Sequence, residues 1–118
     1  MADSETYTVE KKNDVAVLTL MLNAVTSEDN EDIKKVFTGL LDEGIKNIIL
    51  DLSKTTFISS LVIASFVYML KKAKEAGGNL MLSNVKDKVK EVLNITNLNK
   101  VFDIYETKEE ALRKIGKK

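Results

Sequence analysis

Apolar and polar positions along this 118-residue chain follow two periods in turn, one near two residues and one near 3.6. Residues 7–11 alternate Tyr7, Val9 and Lys11 with Thr8 and Glu10, the pattern of a half-exposed edge strand. Lys12, Asn13 and Asp14 give a polar turn, and residues 15–22, VAVLTLML, form a near-continuous apolar run. Such a run suits a strand covered on both faces, and the short turn joins it to the first strand as an antiparallel hairpin. After a loop at 23–25, Thr26 or Ser27 caps a helix with an acidic first turn of Glu28, Asp29, Glu31 and Asp32. Ile33, Val36, Phe37, Leu40 and Leu41 follow on one helical face, and Gly44 is a plausible stop.

Residues 47–52, NIILDL, read as a central buried strand, and a helix begins near Ser60. That helix closes on Lys71, Lys72 and Lys74 before Gly77-Gly78, basic charge and then glycine at the exit. Residues 79–83, NLMLS, predict another buried strand. Asn84 is expected to cap a third helix with Val85, Val89, Val92 and Leu93 on one face. Asn97-Leu98-Asn99 turns the chain toward a weak last strand at 101–105. Thr107 and Glu110 have the spacing of a capping box and open a terminal helix with Ala111, Leu112 and Ile115 facing inward.

The order ββαβαβα(β)α predicts an α/β fold with a mostly parallel mixed sheet, right-handed crossovers and an N-terminal antiparallel hairpin. With no proline, repeat, linker or low-complexity tract, residues 1–118 are expected to form a single domain, residues 1–5 frayed.

Composition narrows the function. The apolar share of 44% and charged share of 31% are those of an ordinary globular protein, and 18 basic residues balance 18 acidic ones. No broad cationic surface is forced, which argues against direct nucleic-acid binding. Arg113, Lys114, Lys117 and Lys118 gather at the C-terminus and read as a solvated helix end. The absence of cysteine and histidine removes disulfides, thiolate nucleophiles, Ser-His-Asp machinery and nearly all zinc sites. The N-terminus lacks the build of a signal peptide, and the longest nearly apolar run, residues 61–70, is half of the ~20 residues that cross a bilayer. A cytoplasmic protein with no membrane segment is expected. No phosphate-cradling glycine loop occurs, and no cofactor is implied. Asp51 is a lone carboxylate at a strand end and reads as structural; the acidic run 28–32 lacks the alternation and glycine of a calcium loop.

In open α/β sheets, function gathers on the loops past the carboxyl ends of the parallel strands. Here these are residues 23–27, 53–60, 83–86 and 106–107, rich in Ser, Thr and Asn. Ser59 and Ser60 stand where a loop meets a helix start. Either serine can cap orphan N–H groups, or be offered to a partner or kinase where the helix dipole favours anions. Phosphorylation there would add about two negative charges at the positive end of the dipole, leaving the fold intact and disturbing a partner surface. Leu61 and Val62 follow immediately and are either a surface contact or part of the core.

The stretch DLSKTTFISSLVIASFVYMLKKAKEAGGNLMLSNV, followed by VKEVLNITNLNKVFDIYETKEEAL, resembles the STAS domain of bacterial anti-sigma factor antagonists. The likeness runs from about Tyr7 to Leu112, and the order of elements is that family's order. Asp51, Leu52, Ser53, Phe57, Ile58, Ser60, Gly77 and Gly78 keep the family pattern, as do Thr96 and Leu98 farther on. The resemblance implies a non-enzymatic signalling protein that binds an anti-sigma factor, itself a serine kinase, and so releases a sigma factor. It places Ser60 on the serine phosphorylated by that partner, with phosphorylation ending the binding. The expected contact set is Asn23, Thr26, Ser59, Ser60, Leu61 and Val62. Ser59 stands where the family has an aspartate, Asn23 where an acidic residue is usual, and Val62 and Ala64 where it has glycines. Those departures favour a second class, a STAS module that is never phosphorylated and acts as a scaffold or subunit. A small-molecule or nucleotide binder using the polar loops is a third, and an enzyme lacks any evident base and nucleophile pair.

Overall fold

The structure is a computed structural model and describes residues 6–116. Its elements are β1 (Tyr7–Lys12), β2 (Val15–Leu20), α1 (Ser27–Asp42), β3 (Asn47–Asp51), α2 (Ser60–Glu75), β4 (Asn79–Ser83), α3 (Asp87–Ile95), β5 (Asp103–Tyr105) and α4 (Lys108–Gly116), with a 3-10 turn at Leu98–Lys100. The expected fraying of residues 1–5 lies outside the described residues. The five strands form one sheet in the order β1-β2-β3-β4-β5. β1 pairs antiparallel with β2, and every later pairing is parallel. The hairpin, the parallel sheet and the four helices are those expected of the hydrophobic pattern.

Adjacent strand residues serve opposite faces, because the side-chain period of a strand is two. Ala16, Leu18, Leu20, Ile48, Leu50, Leu80 and Leu82 form one core with Phe37 of α1, Phe66 and Met69 of α2, and Val89 and Leu93 of α3. Val15, Val17, Ile49 and Met81 face the other way and pack with Ala111 of α4, flanked by Leu112 and Ile115. This explains the unbroken apolar runs in β2 to β4: both faces are roofed. Phe37 and Phe66 are each 1% exposed, and burial of such a side chain contributes about 1.5–3 kcal/mol. Where α2 returns to β4, Gly77 has φ +90°, and a Cβ on Gly78 would run into the Lys46 carbonyl, so that corner requires glycines.

Four boundaries differ from expectation. β2 ends at Leu20 rather than at residue 22. The carbonyls of Leu22 and Asn23 are instead taken by the link after β3: Thr55 Oγ1 donates to Leu22 O at 2.7 Å, and Thr56 N donates to Asn23 O at 2.9 Å. β3 ends at Asp51, one residue early, and Leu52 N donates to Ser83 O. Residues 98–100 close a 3-10 turn, with Val101 N donating to Leu98 O at 2.9 Å and Phe102 N to the same oxygen at 3.1 Å, so β5 starts only at Asp103. Asn84 does not cap α3, whose N-cap is Lys86 with no side-chain bond. Its φ of 54° turns the chain out of β4, and its Oδ1 accepts the Lys108 N–H at 3.1 Å, so Asn84 steadies the start of α4 instead.

Candidate functional site

The carboxyl ends of β2 and β3 lie side by side, and the loops leaving them are tied together. Thr56 N and Phe57 N both donate to Asn23 O, at 2.9 and 3.2 Å, and Thr56 Oγ1 donates to Asn23 Oδ1. Ala24 and Phe57 form an isolated parallel bridge, a last extension of the β2–β3 pairing. Asp51 is 5% exposed, and its Oδ1 accepts the Ser53 N–H at 2.9 Å while Thr19 Oγ1 lies 3.4 Å from Oδ2. Its carboxylate is therefore occupied in holding the turn after β3. Among the described residues no group of three acidic side chains is placed to hold a metal.

The two serines take different tasks. Ser59 is the N-cap of α2, with φ −91° and ψ 170°, and its Oγ faces the Val62 N–H at 3.4 Å. Ser60 is the first helical residue, exposed, and its hydroxyl has no hydrogen-bond partner among the described residues. α2 carries no acidic residue in its first turn, and its last turn carries Lys72 and Lys74, so the positive end of the dipole at Ser60 is not neutralised from within the helix. Leu61 is 52% exposed, whereas Val62 is fully buried in the core. The expectation that Val62 meets a partner is thus corrected. One residue along a helix is a turn of about 100°, enough to carry the side chain from the outer face to the sheet.

Thr26 caps α1: its Oγ1 accepts the Asp29 N–H at 3.1 Å, and Asp29 Oδ2 accepts the Thr26 N–H at 3.1 Å. Asn23 is exposed beside the β3–α2 link, so Asn23, Ser59, Ser60 and Leu61 belong to one corner, with Thr26 opening the neighbouring helix. Phe57, 59% exposed, stands in the same link, and Met21, 37% exposed, lies just past the end of β2. Neither was in the expected contact set. Phe57 carried a usable signal, a large apolar residue inside an otherwise polar connection.

The comparisons with known proteins agree with this geometry. The STAS domain profile matches residues 6–111. The chain belongs to the STAS domain family. It is 34% identical over 104 residues to a candidate anti-sigma factor antagonist of Thermotoga maritima, covering 86% of this chain and 92% of that protein. A crystal structure of a candidate anti-sigma factor antagonist from Thermotoga maritima superposes with a TM-score of 0.82 at 33% identity, covering 92% of each chain. Bacillus SpoIIAA in its phosphorylated form shares the fold, with a TM-score of 0.73 at 17% identity over 92% of this chain and 98% of that one. The STAS domain is therefore of the anti-sigma factor antagonist type. No helix among the described residues is long and apolar enough to cross a membrane.

Proposed function

We propose that this chain is a cytoplasmic, non-enzymatic partner-switching module. It binds an anti-sigma factor of the serine-kinase type through the corner where β3 meets α2, and phosphorylation of Ser60 ends the binding. The observation that carries this reading is the division of labour between two neighbouring serines. Ser59 is committed to the cap, which leaves the exposed Ser60 hydroxyl free at a helix N-terminus beside exposed Leu61 and Phe57. The names of the relatives support an anti-sigma factor as the partner. A phosphate on Ser60 brings about −1.5 to −2 charges to the positive end of α2, where the fold tolerates them, and places them beside the apolar groups a partner would cover.

The test is incubation of the chain with an anti-sigma serine kinase of its own organism and ATP, followed by intact-mass and peptide mass spectrometry. One phosphate on the peptide containing Ser60, lost in Ser60→Ala and accompanied by dissociation of the complex, is the expected result. No transfer, together with unchanged binding by Ser60→Asp, would sink the switch. The non-phosphorylated scaffold reading draws on a specific observation: Asn23 and Ser59 leave the Ser60 corner without a carboxylate of its own. Tight binding that is indifferent to Ser60→Asp favours it.

A further inference from the structure

We infer that the docking surface continues from the Ser60 corner along the outer face of α2 and takes an acidic, amphipathic helix of the protein partner. The inference rests on the partner-binding reading above and specifies the chemistry of what binds. α2 buries Val62, Phe66, Met69 and Ala73 against the sheet. On its opposite side Leu61, Ala64, Tyr68 and Lys72 stand at offsets 0, 3, 7 and 11, all exposed, in a line about 16 Å long at 1.5 Å per residue. The upper part of this line is apolar, with Leu61 52% exposed, and the small Ala64 lets a second helix approach closely.

The lower part gathers two lysines around an aromatic ring, each beside an exposed glutamate. Lys34 of α1 places its Nζ 5.2 Å from the centroid of the Tyr68 ring, and Lys72 places its own 5.6 Å from it. Tyr68 is 44% exposed, and the Lys34 and Lys72 side chains keep 34% and 46% of their surface open. Each lysine has a carboxylate neighbour at the long end of ion-pair range, Glu31 at 3.9 Å from Lys34 and Glu75 at 3.7 Å from Lys72. Exposed pairs of that length contribute little, and an incoming carboxylate displaces them at small cost. Apolar groups at one end and two cations over an aromatic at the other fit a helix with apolar residues opposite Leu61 and Ala64 and an acidic residue reaching Lys34 and Lys72. A second copy of this chain fits less well, because two-fold pairing about Ala64 sets Tyr68 of one copy opposite Ser60 of the other, and the first turn of α2 offers no acidic residue to Lys34 and Lys72.

The test is titration calorimetry and stopped-flow association of the full chain with the purified anti-sigma serine kinase of its organism, at low and high salt. Lys34→Glu combined with Lys72→Glu should weaken binding about tenfold or more, mainly through slower association, and should flatten its salt dependence. Tyr68→Ala should weaken it as well, while Lys74→Glu, on another side of α2, should not. Thermal melts check that each variant is folded. Unchanged affinity and salt slope in the double variant, with Ser60→Asp still abolishing binding, would overturn this surface and leave the proposed function standing. A kinase that binds neither wild type nor variants overturns both. Self-association of the wild type in sedimentation, dissolved by the double variant, would assign the surface to a second copy and overturn the inference.

Discussion

Ser59 and Ser60 are chemically alike and one position apart, and the fold gives them different work. Losing the Ser59 cap should lower stability by about 1 kcal/mol (0.5–2), because an N–H of the first turn of α2 loses its acceptor. Ser60→Ala should stay within about 0.5 kcal/mol of wild type, as exposed substitutions that remove no contact usually do. Urea unfolding of the two variants measures both, and equal losses would contradict the assignment of the cap. Residue types alone name this pair without dividing it, because the division depends on which residue starts the helix; only the family resemblance set Ser60 apart. The same phase separates exposed Leu61 from buried Val62. At Tyr105, partial burial and then the nearby charges of Asp103 and Glu110 raise the phenol above the ordinary value of 10.0. A proton held more tightly in the folded state contributes stability that is complete below pH ~10 and lost as pH rises through the folded value. Stability measured across that range should fall more steeply in the wild type than in Tyr105→Phe.

Among the elements, the strands and long helices were legible because period and burial coincide. α1 repeats its apolar stripe over 16 residues, and β3 and β4 are short apolar runs ended by polar residues. What escaped was set by contacts distant in sequence. Residues 21 and 22 look like strand, yet among the described residues Met21 keeps only a bond to Thr6 O, and Leu22 O turns to Thr55, 33 residues on. Val101 and Phe102 look like strand as well, yet the 3-10 turn takes them, leaving Val101 51% exposed and Phe102 buried. Asn84 was read as a cap for the next helix and instead accepts from Lys108, 24 residues later. Its two roles separate by substitution. Asn84→Gly keeps the positive φ and loses only the bond to Lys108, at about 1 kcal/mol. Asn84→Ala adds the left-handed penalty of about 1–2 kcal/mol. Hydrogen exchange should speed up first in α4 for both variants, and faster exchange confined to α3 would return Asn84 to its expected place.

At the scale of the whole molecule, one sheet roofed on two sides ties the helices into one cooperative unit while the candidate contact corner sits at the carboxyl end of β2 and β3. Ile48 faces the core under α1 to α3 and Ile49 faces α4, so neighbouring residues of one strand belong to different clusters. Truncation on either side should therefore weaken the same single transition. Phe66→Ala should cost about 3–5 kcal/mol and Ile49→Ala about 2–5 kcal/mol. Against a total of roughly 5–15 kcal/mol these are large, and the milder Ile49→Val, at about 0.5–1.5 kcal/mol, is the better probe of function. Its substitution lies on the face away from α2, and the Ser60 corner is held by its own bonds from Thr55, Thr56 and Phe57 to Leu22 and Asn23. Partner affinity measured on folded Ile49→Val should match the wild type although its unfolding midpoint is lower. An affinity that falls in step with stability would mean that the corner is not self-supporting and that α4 and the second cluster help to shape it.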